Sequence, residues 1–470
     1  MSDLSCCLEE NISMLDKILN VDKSFDIIKK EMEVNNRKIV FYYVDGFING
    51  ATMQKLMMHI TTVKDFGADN DSDVIDFIRK SLPSVEVDAE FDVERLITMV
   101  LSGCAIMLAQ GFGRGAVVID SRTYPARETA EPENDKVMRG ARDGFVETMI
   151  FNTALIRRRI RNPNLIVEYH CVGSESKTDV SIVYIEGKAD EGYVKRLGKK
   201  IDEIKTDALP LGHQSLIECL IKKKWYNPFP KVRCTERPDA AAASILEGSV
   251  IVICDTSPEA LILPTSIFDF LQETDDFYFP PFTGSYLRIV RQLVFWGAIF
   301  LTPIWYLLVI NASSLPPWIS FIVPVNMGNI PLLAQLLIIE VVISGLKIAS
   351  LNTPSTMTNS FSVVGGLLLG DFAVQIGWFS PDVIFYMAIE SIAGFTQSNY
   401  ELGYAFKFLR MLCLVLISFM NFWGLILGGL IGLILVVTNE TVLGDKTYLY
   451  PLIPFDGKKL KSLLFRVKKK

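Results

Sequence analysis

Over the first 285 positions, apolar residues fall in short runs separated by turn residues and by stretches of helical spacing. "RKIVFYYVDGFING" reads as a buried strand followed by a turn, and "CAIMLAQG" and "GAVVIDSRTYP" as two more strands. Helical spacing recurs at 51–62, 72–81 and 92–102, and residues 1–35, where charges alternate with apolar positions, predict further helices. A polar, proline-bearing link, "ARETAEPENDK", follows. The pattern then starts again with a helix over 143–161, strands "NLIVEYHCVG" and "DVSIVYIEG", helices over 190–205 and 213–224, and a closing strand pair, "SVIVICDTSP" and "ALILP". Short strands rich in Val and Ile, alternating with helices, predict two α/β subdomains, 1–130 with its N-terminal helices and 131–285, with sheets covered by helices.

Beyond residue 285 the pattern changes. Leu293 to Ile310 contains no charge over eighteen positions, and no such window occurs earlier. Apolar segments at 289–310, 331–349, 361–378, 382–396 and 404–437 predict an all-α polytopic membrane domain over 286–440, followed by a basic cytoplasmic tail, 441–470. The last segment is 34 residues long, roughly 51 Å as one helix against a hydrocarbon core of about 30 Å. It is either two spans broken near Asn421 or one long tilted helix. Arg288 and Arg291, Lys347, Lys407 and Arg410 flank the segments, while 311–330 carries no charge. With basic flanks inside, about six crossings and two cytoplasmic ends satisfy every one of these groups; a re-entrant segment that keeps the count even is the alternative.

Composition sharpens this division. The chain has 470 residues, 50% of them hydrophobic, with mean hydropathy +0.31. Its net charge of −6 conceals two parts. After residue 286 thirteen Lys and Arg face eight Asp and Glu, net +5, which leaves −11 for the front. An acidic front excludes nucleic acid as its partner, and the basic end "KKLKSLLFRVKKK" suits anionic lipid. Eight cysteines with no C-x-x-C pair, and no signal peptide, indicate reduced thiols in a cytoplasm-like compartment. The three histidines are far apart in sequence, so no metal site and no cofactor are expected. "GFGRG" lies between two strand-like runs, opens no helix, and reads as a turn. No catalytic triad or dyad can be placed by spacing, so an enzyme is not expected.

The candidate chemistry lies in the membrane part. Glu340 and Lys347 are seven apart, on one helix face with Ser344 between them. Two charges at the bilayer centre cost roughly 5–7 kcal/mol, which the surrounding Leu, Ile and Val barely offset. That face is therefore expected to meet protein or water. The plainer alternative is that Lys347 snorkels to the interface while Glu340 packs on a neighbouring helix. The ribbon that follows supplies Asn352, Thr353, Ser355, Thr356, Thr358 and Asn359, with Pro354 to break the helix. Neutral oxygens on non-helical backbone can line a permeation path; an ordinary cytoplasmic loop is the alternative. Asp371 and Glu390, each inside an apolar segment, extend the candidate ion pathway.

In the front, "MRGARDGFVETMIFNTALIRRRIRNP" is basic and glycine-bearing, which by itself describes a solvated helix face. The same stretch resembles the A-subunit family of spore germination receptors, the GerA family, whose pattern reads roughly R-G-P-R-E-G-F and then L-I-R-R-R-L. Here it stands as Arg139, Gly140, Ala141, Arg142, Asp143, Gly144 and Phe145, then Leu155 to Ile160 with Arg157, Arg158 and Arg159. The resemblance continues through "TERPDAAAASILEGSVIVICDTSPEALILP", with Arg237, Pro238, Asp239 and Asp255, and through "DFLQETDDFYFPPFTGSYLRIVRQ", "SVVGGLLLGDFAVQIGWFSPDVI" and "YPLIPFD". It spans nearly the whole chain from about residue 40. Ala141 replaces the family's proline, and Asp255, Thr256, Ser257 and Pro258 stand for D-G-S-P. In the family's membrane helix, M-E-x-x-F-E-L-L-R-E-A, Glu340 and Lys347 keep charged positions while Ser344 and Ile348 replace acids. "ASLNTPSTMT" is most similar to the branch called stage V sporulation protein AF, which resembles receptor A subunits but is not encoded with a nutrient-sensing set.

The resemblance implies a multi-pass protein of the spore inner membrane, with its α/β domain and tail on the core side. It further implies a ring of several copies acting as an ion channel in cation release, together with other germination proteins. The first rival function is a membrane-anchored scaffold or receptor subunit that docks those proteins without a pore, and the second is a membrane enzyme or a secondary transporter. A secondary transporter would be expected to have paired broken helices in two related halves, and the sequence displays no internal repeat.

Overall fold

A computed structural model describes residues 4–63, 66, 73–82, 86–122, 140–221, 226–271, 278–352, 372–396, 399–445, 447–457 and 460–461. It forms two compact units: 1–223 with 232–265, and 224–231 with 266–470.

The first unit holds the elements α1 (Leu8–Leu19), β1 (Ile27–Val34), β2 (Arg37–Val44), α2 (Gly50–Ile60), α3 (Asp73–Ser81), β3 (Val87–Glu90), α4 (Val93–Leu101), β4 (Ala105–Ala109) and β5 (Ala116–Ile119). These are followed by α5 (Met149–Arg159), β6 (Leu165–Val172), β7 (Thr178–Ile185), α6 (Glu191–Asp202), α7 (His213–Leu220), β8 (Arg233–Thr235), α8 (Pro238–Leu246), β9 (Val250–Cys254) and β10 (Ala260–Leu263). The unit is α/β, with two five-stranded sheets that are antiparallel throughout. Their orders are β1-β2-β4-β5-β3 and β6-β7-β9-β10-β8. Both the sequence of elements and the strand order therefore occur twice, and the unit is a structural duplication.

The strands read as unbroken apolar runs because each sheet is covered on both faces. Along β2, Val40 and Tyr42 join α1 and α4 in one cluster, while Ile39 and Phe41 join α2 and α3 in another, the alternation expected of a strand. In the second half α5 and α8 cover the face lined by Val167, Val183, Ile251 and Ile253. β1 departs from the helices expected over 1–35. "IIKKEMEV" is an edge strand whose outward charges pair with neighbours, Lys29 with Asp16 at 2.7 Å and Lys38 with Glu31 at 3.3 Å, and that polarity imitates an amphipathic helix in sequence. β3 and β8 are too short to register as apolar runs. Residues 110–115, "QGFGRG", form the turn between β4 and β5.

The second unit is helical: α9 (Pro281–Ile310), α10 (Leu332–Asn352), α11 (Pro381–Phe395), α12 (Tyr400–Met420) and α13 (Phe422–Val437). α9, α10 and α12 are long and apolar enough to cross a membrane, and α13 is apolar but shorter at 16 residues. Leu293, Trp296, Phe385, Phe419, Trp423 and Leu433 lie on its exposed surface, as a lipid-facing surface requires. The long apolar run breaks at Asn421, whose backbone takes φ 53° and whose side chain exchanges hydrogen bonds with Asn311 at 2.7 and 2.9 Å. α13 then folds back along α12, with Gly424, Gly428 and Gly432 facing it. The unit begins earlier than the composition change near 286. Phe229 and Phe270 pack with Phe295 and Phe406, and the Tyr448 hydroxyl donates to the Pro230 carbonyl at 2.8 Å.

Candidate functional site

Four helices of the second unit converge on one buried charge network, three of them long and apolar enough to cross a membrane. α10 presents Glu340, Ser344 and Lys347 from one face, at spacings of four and three. α12 presents Lys407 and Arg410, and α11 presents Glu390. The Glu340 carboxylate accepts from Arg410 Nη2 at 2.7 Å and lies 3.0 Å from Lys407 Nζ. Arg410 Nη1 pairs with Glu390 and donates to the Ala298 carbonyl of α9 at 2.7 Å, so one guanidinium ties four helices together. Ser344 donates to the Glu340 carbonyl at 2.7 Å and accepts from Lys407.

Burial decides what this network is. Arg410 is 1% exposed, Glu340 3% and Glu390 7%, and isolated charges so placed would be prohibitively costly. Two carboxylates and two cations close together neutralise one another, which makes the cluster affordable only as a set. Lys347 does not pair with Glu340. Its ammonium sits 4.5 Å above the Tyr400 ring and 5.4 Å from that of Tyr404, a cation–π arrangement. Between these groups lies a cleft of about 70 Å³ lined by Glu340, Ser344, Lys347, Glu390, Tyr400 and Lys407. The charged face of α10 thus meets protein and a cleft.

The sequence reading placed Glu340, Ser344, Lys347 and Glu390 in the pathway, and the fold brings all four to this cleft. Thr353, Ser355, Thr356, Thr358, Asn359 and Asp371 lie outside the described residues, as does the Asn352 side chain. Lys407 and Arg410 were missed as site residues because they served only as topological flanks. Their signal was present: two cations a helical turn apart inside an apolar run need two buried acids elsewhere.

The family-motif residues of the first unit do structural work. Arg157, fully buried, donates to both carboxylate oxygens of Asp26 at 2.5 and 3.0 Å and to the Leu165 carbonyl at 3.0 Å, joining the two halves of the duplication. Arg159 grips Asp143 at 2.5 and 2.6 Å. Arg237, at the start of α8 ahead of Pro238, holds Asp239 at 2.7 Å and the Ala141 carbonyl at 3.0 Å. Phe145 is buried beside Gly144, its N–H donating to the Glu236 carbonyl at 2.7 Å, and Gly140 takes φ 143°. Asp255 accepts from the Met149 N–H at 2.9 Å, capping α5 from across the chain. Arg142 and Arg158 are exposed, and Arg139 lies outside the described residues.

Two histidines of this unit have acidic neighbours. Glu168 and Asp202 hold the His170 imidazolium, with Nδ1 2.7 Å from Asp202 and Nε2 3.9 Å from Glu168, and raise its pKa. His213 Nε2 lies 3.2 Å from Glu259, whose carboxyl it holds below the ordinary range. Cys234 completes this second group, the ligand atoms of His213, Cys234 and Glu259 all lying within 4.8 Å of one another. Wide sequence separation had argued against a metal site; folding removes that separation.

The chain is similar to known proteins over most of its length. The family description "Bacillus/Clostridium GerA spore germination protein" matches residues 13–470. The chain is 36% identical to stage V sporulation protein AF of Bacillus subtilis (strain 168), over 95% of this chain and 90% of that one. It is 29% identical to spore germination protein KA of the same organism, over 99% and 85% respectively. Among solved structures, the N-terminal domain of the A subunit of the Bacillus megaterium spore germinant receptor GerK3 is 23% identical, covering 56% of this chain and 96% of that one with a TM-score of 0.41. With the match running through both the α/β unit and the charge-bearing helices, this chain belongs to the GerA family of spore germination membrane proteins.

Proposed function

We propose that the chain is a subunit of an oligomeric cation channel that releases ions during germination, with the α/β unit as a regulatory domain on the core side of the spore inner membrane. What supports the reading is the cleft between α10, α11 and α12, where Glu340, Lys407 and Lys347, carried by two helices long and apolar enough to cross a membrane, stand around a space able to hold water. In a ring of copies, each subunit contributes one such face to a shared axis, and the neutral side chains of the Ser-, Thr- and Asn-rich sequence after α10 are proposed as further groups for the ions. Other inner-membrane germination proteins are its proposed partners, and the basic tail its contact with anionic lipid.

Reconstitution of the purified protein in liposomes tests this. Cation flux is expected from the wild type, with Glu340→Gln and Asp371→Asn altering its rate or selectivity; wild-type vesicles that hold a cation gradient as well as empty ones refute the channel. The second reading, a scaffold anchored without a pore, is favoured by the closure of Arg410 on Glu340 and Glu390, since a network whose charges pair with one another is also a structural fastening. A scaffold leaves flux untouched in every variant.

A further inference from the structure

We propose that His213, Cys234 and Glu259 form a binding site for a divalent cation of the zinc class, with its fourth coordination position open. The three side chains offer one imidazole nitrogen from α7, one thiol sulfur from β8 and one carboxylate oxygen from the residue leading into β10, all within 4.8 Å of one another. A tetrahedral ion with bonds of roughly 2.0–2.3 Å needs donors roughly 3.3–3.6 Å apart. His213 Nε2 and Glu259 are already 3.2 Å apart, so small rotations of the side chains close the set.

The backbone aims these residues at one point. Cys234 of β8 pairs with Leu261 of β10 in antiparallel register, and Glu259 stands two residues before Leu261. By the two-residue period of a strand, Cys234 and Glu259 project from the same sheet face as a diagonal pair. His213 is brought over that face by the turn into α7. Its N–H donates to Ser257 Oγ at 2.9 Å, and Gly212 takes φ 50° at a place where a Cβ would fall on the same hydroxyl. Side-chain exposures of 20% for His213 and 26% for Glu259 leave the group half-buried, reachable by an ion yet shielded from bulk water.

The donor set selects the ion. Magnesium and calcium require oxygen ligands, whereas imidazole with thiolate and carboxylate suits zinc. Three protein ligands leave room for water or for a donor from an incoming molecule. Bound there, the ion fastens α7 to β8, a three-residue edge strand. The proposal stands apart from conduction, since none of its ligands lies in the membrane helices.

The test uses the full chain in detergent micelles, stripped with a chelator and then titrated with Zn²⁺ against a chromogenic competitor and, separately, with Co²⁺. One equivalent is expected to bind, and the cobalt form to display tetrahedral visible bands with a thiolate charge-transfer band. Cys234→Ser abolishes the thiolate band, while His213→Gln and Glu259→Gln weaken binding about tenfold or more. A Cys6→Ser/Cys7→Ser variant controls for the exposed cysteine pair and retains the signal. The wild type also melts at higher temperature with the ion present. The proposal is overturned by the absence of saturable Zn²⁺ binding, by a cobalt spectrum without the thiolate band, or by a band that survives Cys234→Ser. If Cys234→Ser does not fold, the wild-type cobalt spectrum and the control variant decide.

Discussion

Replacing Arg410 by Met keeps most of the side-chain volume and removes one charge. Glu340 then retains only Lys407, and Glu390 loses its guanidinium partner while remaining almost wholly buried. The Ala298 carbonyl loses its donor as well. Removing one member of a buried pair costs about 3–5 kcal/mol, because the charge left behind is uncompensated, whereas an exposed pair is worth about 0–1 kcal/mol. Arg410→Met is therefore expected to lower unfolding free energy by about 4 kcal/mol, a large share of a typical 5–15 kcal/mol. Equilibrium denaturant unfolding in mixed micelles, followed by tryptophan fluorescence, measures it. Glu390→Gln in the same background removes the orphaned charge, so the double variant is expected to lose less than the sum of the singles, with a coupling of about 0.5–3 kcal/mol. A loss below about 1 kcal/mol for Arg410→Met, or strict additivity, refutes the claim that these helices share one buried network.

Two further expectations concern packing and pH. On α13, a Cβ at Gly424 would fall on the Leu416 backbone carbonyl and one at Gly428 would lie 2.5 Å from Cys413 Sγ, whereas Gly429 has open space. Gly424→Ala is accordingly expected to cost about 1–3 kcal/mol in micelle unfolding and Gly429→Ala nothing, and equal effects sink the close α12–α13 packing. In the first unit, the raised pKa of His170 means that the folded state binds its proton more tightly. The contribution is full below the unfolded value of about 6.5 and is lost as pH rises through the folded one. Wild-type stability should fall more steeply than that of His170→Gln between about pH 6 and about pH 8 in urea titrations, and parallel curves exclude the linkage.

Much of the fold was legible because burial and period coincide. β4, β5, β9 and β10 are buried at every position and read as apolar runs, and the break at Asn421 is one of the two alternatives that a run too long for one crossing left open. The duplication was hidden because the two halves share burial pattern far more than residues: "AIMLA" and "VIVIC" occupy equivalent strands, buried at every position, with one residue in common, the isoleucine at the second place. β1 was hidden by the opposite effect, an edge position that exchanges apolar residues for charges. Seen in three dimensions, the family's arginines also change meaning, since Arg157 is a buried fastening where a basic stretch suggested a wet helix face, and Arg237 is buried in the same way.

The site was half legible for a related reason. A costly charge can be recognised from one helix, but its partner cannot, because partners come from wherever packing places them. Glu340 announced a cost; Lys407 and Arg410, 67 and 70 residues later, supply the compensation. The balance also divides the labour at the cleft. Arg410 is held by two carboxylates and a carbonyl in the helix contact, which suits a fixed post, while Lys407, Ser344 and Lys347 border the space where rearrangement is cheaper. If ions pass, their movement is then expected to alter the Lys407 side of Glu340 first, and Arg410 to hold the helices while it does.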